Sequence, residues 1–298
     1  MNAFPIDYIE PVFRPPSEAR SLILQVTNGC SWNNCTFCEM YTAPQKKFRV
    51  KPIDEVDAEL AKISKSMPHL TRIFLADGDA MSLSYRRLKE VLECIRKHYP
   101  NIERVTAYCL PRNLKKKTVE QLAEFRELGL TMVYVGCESG DDVVLEKINK
   151  GETYETSKDA LIKLKQAGIK SSVMILNGLG GRKFSEQHAV NTAKLMNETQ
   201  PEFVSTLVVS FPMGEERFIE GFKGDYEPLQ QMELFQEIRT LIANFELDNT
   251  VFRSDHASNY LVLKGDLGAD KQKMLDKIDL AINKPGVIPL RQEWQRGL

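Results

Sequence analysis

Three cysteines, Cys30, Cys35 and Cys38, fall within nine residues in the spacing C-x4-C-x2-C, directly after the apolar run Ser21 to Val26. A short apolar run of this kind reads as a β-strand. The thiols therefore sit on the loop leaving a first strand, and the fold must deliver that strand end to a site. A structural zinc site wants four ligands, often as two C-x2-C pairs. Only one such pair is present, and no histidine lies nearby. A ferredoxin-like carrier wants four cysteines per cluster. Three thiolates on one loop suit an iron–sulfur cluster with one iron left open. The other cysteines, Cys94, Cys109 and Cys137, lie scattered and mostly in apolar runs. They read as small buried hydrophobes. A chain this long with no signal peptide does not suggest a disulfide framework.

From residue 20 onward a β-then-α rhythm sets in. Strands are expected at Leu22–Val26, Arg72–Ala76, Arg104–Tyr108, Thr131–Val135, Lys170–Leu176 and Glu202–Val209. Between them, apolar residues at helical spacing mark helices, such as Val56, Leu60 and Ile63 after Ile53, and Leu88, Val91, Leu92 and Ile95 behind a Ser82 or Ser84 cap. Further helices are expected at about Thr118–Leu128, Asp142–Ile148, Glu155–Ala167 and Ser185–Asn197. Alternating strands and helices imply parallel βαβ units with right-handed crossovers. Nearly continuous apolar strands such as Val173-Met174-Ile175-Leu176 suit a sheet covered on both faces. Six units are too few for a closed eight-stranded barrel. Periodicity alone also suits a doubly wound open sheet.

The cysteine loop, with Phe37 just before its third cysteine, resembles that of the radical S-adenosylmethionine (SAM) superfamily. The resemblance extends to Glu138-Ser139-Gly140, to Asn149-Lys150-Gly151, to the lead-in Arg14-Pro15-Pro16-Ser17-Glu18 and to His256-Ala257-Ser258-Asn259-Tyr260. One departure is plain: that family usually has three residues between the first two cysteines, and this chain has four. The resemblance implies an α/β fold, a partial (β/α)6 TIM-like barrel over residues 20–214. An irregular lead-in would span residues 1–19, punctuated by Pro5, Pro11, Pro15 and Pro16. A mainly helical extension over residues 215–298 would cover the barrel opening, with helices at Gln230–Asn244 and about Asp270–Ile282.

The same resemblance implies a [4Fe-4S] cluster on Cys30, Cys35 and Cys38, with SAM chelated at the open iron. A reductant then supplies one electron, SAM is cleaved, and a 5′-deoxyadenosyl radical abstracts hydrogen from an unidentified substrate. Barrel chemistry sits at the C-terminal strand ends, so the residues there become candidates for holding SAM. After the second strand, Gly78 and Asp79 stand in a segment that only partly matches the family's Gly-Gly-Glu. Arg112 follows the third strand. Glu138 and Ser139 follow the fourth, where a carboxylate suits ribose hydroxyls. Asn177 and Gly178 open the glycine-rich run after the fifth. After the sixth, Ser210-Phe211-Pro212-Met213-Gly214 is expected to line the substrate side instead. Candidates for the substrate side are His256, Asn259 and Tyr260, on the expectation that Arg253 to Tyr260 folds back over the open side of the core.

A net charge of −1, from 40 basic and 41 acidic residues, offers no electrostatic case for a nucleic-acid partner. No apolar run approaches the ~20 residues of a membrane span. The expected setting is a reducing cytoplasm. The expected partners are a small-molecule substrate and a one-electron donor such as flavodoxin or ferredoxin. Porphyrinogen oxidation is one alternative, with Arg112, Arg182 or Arg253 available for propionates. RNA modification and a non-catalytic iron–sulfur redox or sensing role are the others.

Overall fold

A computed structural model describes residues 6–212 and 214–296. Pro5 and Met213, read above as part of the lead-in and of the sixth strand end, lie outside the described residues. In chain order the elements are β1 (Leu22–Gln25), β2 (Thr27–Asn28), β3 (Arg49–Val50), α1 (Ile53–Ser66), β4 (Arg72–Ala76), α2 (Tyr85–His98), β5 (Arg104–Cys109), α3 (Val119–Glu127) and β6 (Leu130–Glu138). There follow α4 (Asp142–Lys147), α5 (Tyr154–Gln166), β7 (Lys170–Asn177), α6 (Gly181–Thr199), β8 (Phe203–Val208), α7 (Glu216–Phe222), α8 (Gln231–Ala243), β9 (Val251–Ser254), β10 (Leu263–Asp266) and α9 (Lys271–Asn283). Eight strands build one mostly parallel sheet, and β2 pairs antiparallel with β3.

The chain forms two compact units, the first through residue 33 with 38–135 and 162–171, the second from 34–37, 136–161 and 172 onward. In the first unit the strand order is β1-β4-β5-β6, all parallel. Its register pairs Leu22 with Ile73, Ile73 with Val105, and Ala107 with Val133. Leu22, Leu24, Ile73, Phe74 and Val105 are fully buried, as are Val56, Leu60 and Ile63 of α1 and Leu88, Leu92 and Ile95 of α2. The helical stripes therefore cover these strands, as the spacing predicted. Ser84 caps α2 by accepting from the Arg87 N–H at 3.3 Å, and Thr118 and Gln121 form a capping box on α3.

The lead-in is tied to this unit by one carboxylate. Glu18 accepts hydrogen bonds from Ser21 Oγ (2.5 Å), Tyr134 Oη (2.6 Å) and Arg104 (2.6 Å), which joins it to β5 and β6. Its side chain is fully buried. Burial alone raises its pKa, but the hydrogen bonds from Ser21, Tyr134 and Arg104 outweigh that and hold it below the usual carboxylate range.

In the second unit β7, β8 and β9 run parallel and β10 returns antiparallel along β9. The extension after residue 214 carries three helices, but it also adds β9 and β10 to the sheet. The expected mainly helical tail therefore also carries two strands, and within the core the short β2–β3 pair is a further addition to the six expected strands. Val251–Ser254 and Leu263–Asp266 have four residues each, with no strong alternation. Pairing, of β9 with the open edge of β8 and of β10 with β9, rather than propensity, makes them strands. Helix α6 begins at Gly181, four residues before the expected Ser185, so part of the glycine-rich run is helix. A cluster of Val144, Leu145, Ile148, Leu176, Leu179, Phe218 and Phe222 forms a core under α4 and α7.

Glu18→Gln should lower stability at neutral pH by roughly 3 kcal/mol, because charged donors lose an ionised partner. A carboxylate held below its unfolded pKa stabilises the fold above that unfolded value, and the contribution is lost as pH falls through the folded value. The gap between variant and parent in urea midpoints should therefore close on acidification below about pH 4. A gap independent of pH would show that Glu18 is not held ionised.

Candidate active site

The cysteine loop leaves β2 and returns at β3, so the β2–β3 pair, Thr27 with Val50 and Asn28 with Arg49, pinches its base. Asn28 Nδ2 reinforces the pinch by donating to the Gln45 and Lys47 carbonyls at 2.7 and 2.9 Å. Gly29 has φ +70°, and a Cβ there would meet the Lys46 carbonyl oxygen at 2.0 Å, so only glycine fits the first turn of the loop. Lys46 then turns inward. It is 1% exposed. Its Nζ donates to the Asp77 carboxylate and, at 2.7 Å, to the Ile9 carbonyl. Asp77 follows β4, so a buried ion pair bolts the returning limb of the cysteine loop to a strand end. Burial raises the Asp77 pKa, and the Lys46 ammonium opposes this.

Cys30 and Cys38 belong to the first unit and are half-buried; Cys35 belongs to the second and is buried. Cys94, Cys109 and Cys137 are all buried, as the sequence suggested. In the first unit Gly78 lies against Tyr41, whose ring would be 2.3 Å from an added Cβ, so this glycine is required for packing. Asp79 is fully buried and accepts from Ser31 Oγ, next to Cys30. Burial raises its pKa, and the Ser31 hydrogen bond opposes this. Its other oxygen, Oδ1, is buried without a hydrogen bond of normal geometry, with the Asn113 side chain close to the carboxylate. Such an oxygen suits a cationic donor brought by a ligand. Arg112 lays its guanidinium over the Trp32 ring at 3.7 Å, beside the cysteines in sequence.

In the second unit the end of β6 carries Glu138 at φ +63°, a costly conformation for a residue with a side chain. Its Oε1 accepts from Lys150 Nζ at 2.9 Å, and both side chains are at most 10% exposed. The carboxylate occupies the space a Cβ on Gly136 would need, 2.4 Å away. Lys150 Nζ also stands 5.6 Å from the centre of the Phe37 ring. Phe37 packs against the Val144–Phe222 core, and the Thr36 N–H donates to the Ile148 carbonyl at 2.9 Å. Phe37 and Glu138 are expected site residues from the sequence, and Lys150, which there stands only within the Asn149-Lys150-Gly151 motif, is the residue that joins them. The separation of twelve residues between Glu138 and Lys150 carries no periodic signal.

Ser139 Oγ is engaged internally, 2.7 Å from His188 Nδ1 and 3.0 Å from the Asp141 N–H, which donates to it. Asn177 is buried at the end of β7, and its carbonyl accepts from the Val209 N–H at 2.9 Å. Gly178 has φ +81° and donates its N–H to Glu237 Oε1 at 2.6 Å. Glu237, on α8, also accepts from Ser185 Oγ at 2.6 Å, and burial raises its pKa.

The turn after β9 is knitted to its own surroundings. The Ser258 N–H donates to His256 Nδ1 at 3.2 Å, which makes Nδ1 an acceptor and the ring neutral. Burial lowers the His256 pKa, in agreement. Asn259 Nδ2 donates to the Thr206 carbonyl at 2.8 Å, and Tyr260 Oη is 2.8 Å from Glu293. Arg291 donates to the carbonyls of Asp255, His256 and Asn259. Arg296 stacks on the Tyr260 ring at 3.6 Å. The polarity of this stretch is thus spent in large part on holding the turn to β8 and to residues 291–296. Arg253, read above as the start of a segment folding back over the core, lies in β9.

A family model described as the Radical SAM superfamily matches residues 24–196, more than half of the chain. The chain belongs to the radical SAM superfamily. The superfamily uses a [4Fe-4S] cluster and SAM. The heme chaperone HemW of Bacillus subtilis (strain 168) is 24% identical over 183 residues, 58% of this chain and 47% of that protein. Coproporphyrinogen III oxidase (HemN) from Escherichia coli is similar in structure with a TM-score of 0.55 at 15% identity, over 75% of this chain and 52% of that one. The radical SAM methyltransferase TsrM from Kitasatospora setae, solved with cobalamin and a [4Fe-4S] cluster bound, gives a TM-score of 0.54 at 19% identity, over 67% and 39%. The chain spans about half or less of the length of each. At these identities the structural likeness shows the fold, the α/β core of the superfamily. No helix among the described residues is long and apolar enough to cross a membrane.

Two variants probe the site. Lys46→Met should cost about 3 kcal/mol by stranding the Asp77 carboxylate, and should lower retained iron after anaerobic loading. Adding Asp77→Asn should recover much of both; a double variant no better than the single one would break the coupling. Asn259→Ala should lower stability by about 1–3 kcal/mol at unchanged iron content, because the Thr206 carbonyl loses its donor.

Proposed function

We propose that the protein is a radical SAM enzyme in which Cys30, Cys35 and Cys38 hold one [4Fe-4S] cluster. The observation that carries the reading is the thiol triplet on a loop anchored to a strand end, with a buried Asp79 oxygen left open beside it. When bound, the cluster and SAM together supply an electron, reductive carbon–sulfur cleavage and a hydrogen-abstracting 5′-deoxyadenosyl radical. The chain's residues supply position and dryness. Asp79 accepts from the methionyl ammonium, an interaction that satisfies its orphaned oxygen. Glu138, held by Lys150, accepts from a ribose hydroxyl. The backbone of the Gly178 turn, fixed by Glu237, would be available to the nucleoside. His256, Asn259 and Tyr260, on the braced Asp255–Tyr260 turn, would serve the substrate side. The substrate is a small molecule that gives up a hydrogen atom, and the reductant is a one-electron carrier protein.

Anaerobic reconstitution with iron, sulfide, SAM and dithionite tests this. The protein should bind about four irons per chain and release 5′-deoxyadenosine. Cys30→Ala, Cys35→Ala and Cys38→Ala should each abolish both, while Cys109→Ser and Cys137→Ser should keep the cluster. Asp79→Asn should weaken SAM binding at unchanged iron content. Haem binding with no 5′-deoxyadenosine would instead favour a carrier of the kind that the name of the Bacillus relative describes. Equal dependence on Cys109 or Cys137 would overturn the three-ligand assignment.

A further inference from the structure

Helices α1 and α2 of the first unit carry a second set of metal-ligand side chains, Asp57 on α1 and Cys94 and His98 on α2. Cys94 and His98 are four residues apart, so both project from the same face of their helix. That face meets α1 at Asp57. The Asp57 Oδ1 atom is 3.2 Å from Cys94 Sγ and 2.7 Å from His98 Nε2. One ligand atom from each of the three residues lies within 4.8 Å of the other two. Cys94 is 9% exposed, the His98 side chain 13% and the Asp57 side chain 40%. The cluster is therefore walled on the α2 side and open to water at Asp57.

We propose that Asp57, Cys94 and His98 form a zinc site that staples α1 to α2. A thiolate, an imidazole and a carboxylate are the three ligand types that zinc takes in proteins, and water can complete the tetrahedron. A tetrahedral zinc with bonds of about 2.0–2.3 Å sets its ligand atoms about 3.4–3.6 Å apart. Opening the two observed contacts by about half an ångström admits the ion. Binding balances in charge and atoms: Zn²⁺ replaces the Cys94 thiol proton, which passes to solvent, and meets a neutral His98 ring and the Asp57 carboxylate. The centre is then neutral overall. Lys97, whose Nζ lies 2.9 Å from Asp57 Oδ1 and whose side chain is 65% exposed, is the cation that zinc displaces, and it swings into water. A thiol makes the trio more than an interhelical ion pair, because sulfur adds little to a hydrogen bond but much to zinc affinity. The site is separate from the cysteine loop and does not depend on its function.

The test uses the full chain, loaded with its cluster anaerobically and titrated with zinc chloride against a chromophoric chelator. One zinc per chain is expected to remain at unchanged iron content. Cys94→Ser and Asp57→Asn should weaken it at least tenfold, and Cys109→Ser should not. Lys97→Ala should tighten it, since the competing cation is gone. Cobalt(II) in place of zinc should show a thiolate-to-metal charge-transfer band that Cys94→Ser removes. If Cys94→Ser does not fold, His98→Gln carries the same expectation, together with loss of the zinc-induced rise in thermal midpoint. Zinc held equally by Cys94→Ser and His98→Gln, zinc that enters only as iron leaves, or no zinc retained against the chelator would each overturn the proposal.

Discussion

The buried pair between Lys46 and Asp77 is the constraint on which the first half of the site depends. A loop of some twenty residues between β2 and β3 has no regular strand or α-helix of its own, and loops of that length order only when something holds them. Here one ammonium, fully withdrawn from water, reaches from the returning limb of the loop to the end of β4. Two buried charges are expensive unless each is paired and hydrogen-bonded. The bond from Lys46 to the Ile9 carbonyl supplies part of that, and brings the lead-in under the same clamp. The loop geometry, the Gly29 turn and the packing of Tyr41 over Gly78 all lie around this pair.

The second unit solves the corresponding problem with the same chemistry. Lys150 pairs with Glu138 and caps the Phe37 ring, while Phe37 inserts into the aromatic core of α7. A residue at positive φ, such as Glu138, persists only where its surroundings over-determine it. The glycine at 136, which leaves room for the carboxylate, and the lysine together do so. The turn at 255–260 is braced rather than mobile in its bonding, since three of its carbonyls accept from a single arginine, Arg291.

Much of this was legible in the residues. The six expected strands appear within a few residues of their ends because each is a short apolar run with a following helical stripe. Ser84, Thr118 and Asp141 cap helices because their side-chain oxygens satisfy orphaned N–H groups, a local rule. The two-residue pair β2–β3 was too short to read, and Val251–Ser254 and Leu263–Asp266 stayed hidden because they owe their extended form to a neighbour's open edge. The polar run at His256-Ala257-Ser258-Asn259 was visible in the sequence, but the bonds that hold the turn to β8 and to Arg291 were not.

The sequence by itself determined the family, the alternation of strands and helices and the three thiols, because all of these rest on local spacing and residue type. Tertiary structure alone decided which charges are partners. Lys46 is 31 residues from Asp77 and Lys150 is 12 from Glu138, while Asp57 lies 41 residues from His98. No periodicity relates such pairs. They meet because parallel strands and their covering helices bring distant segments side by side, and for Lys46–Asp77 and Lys150–Glu138 burial then makes the pairing compulsory.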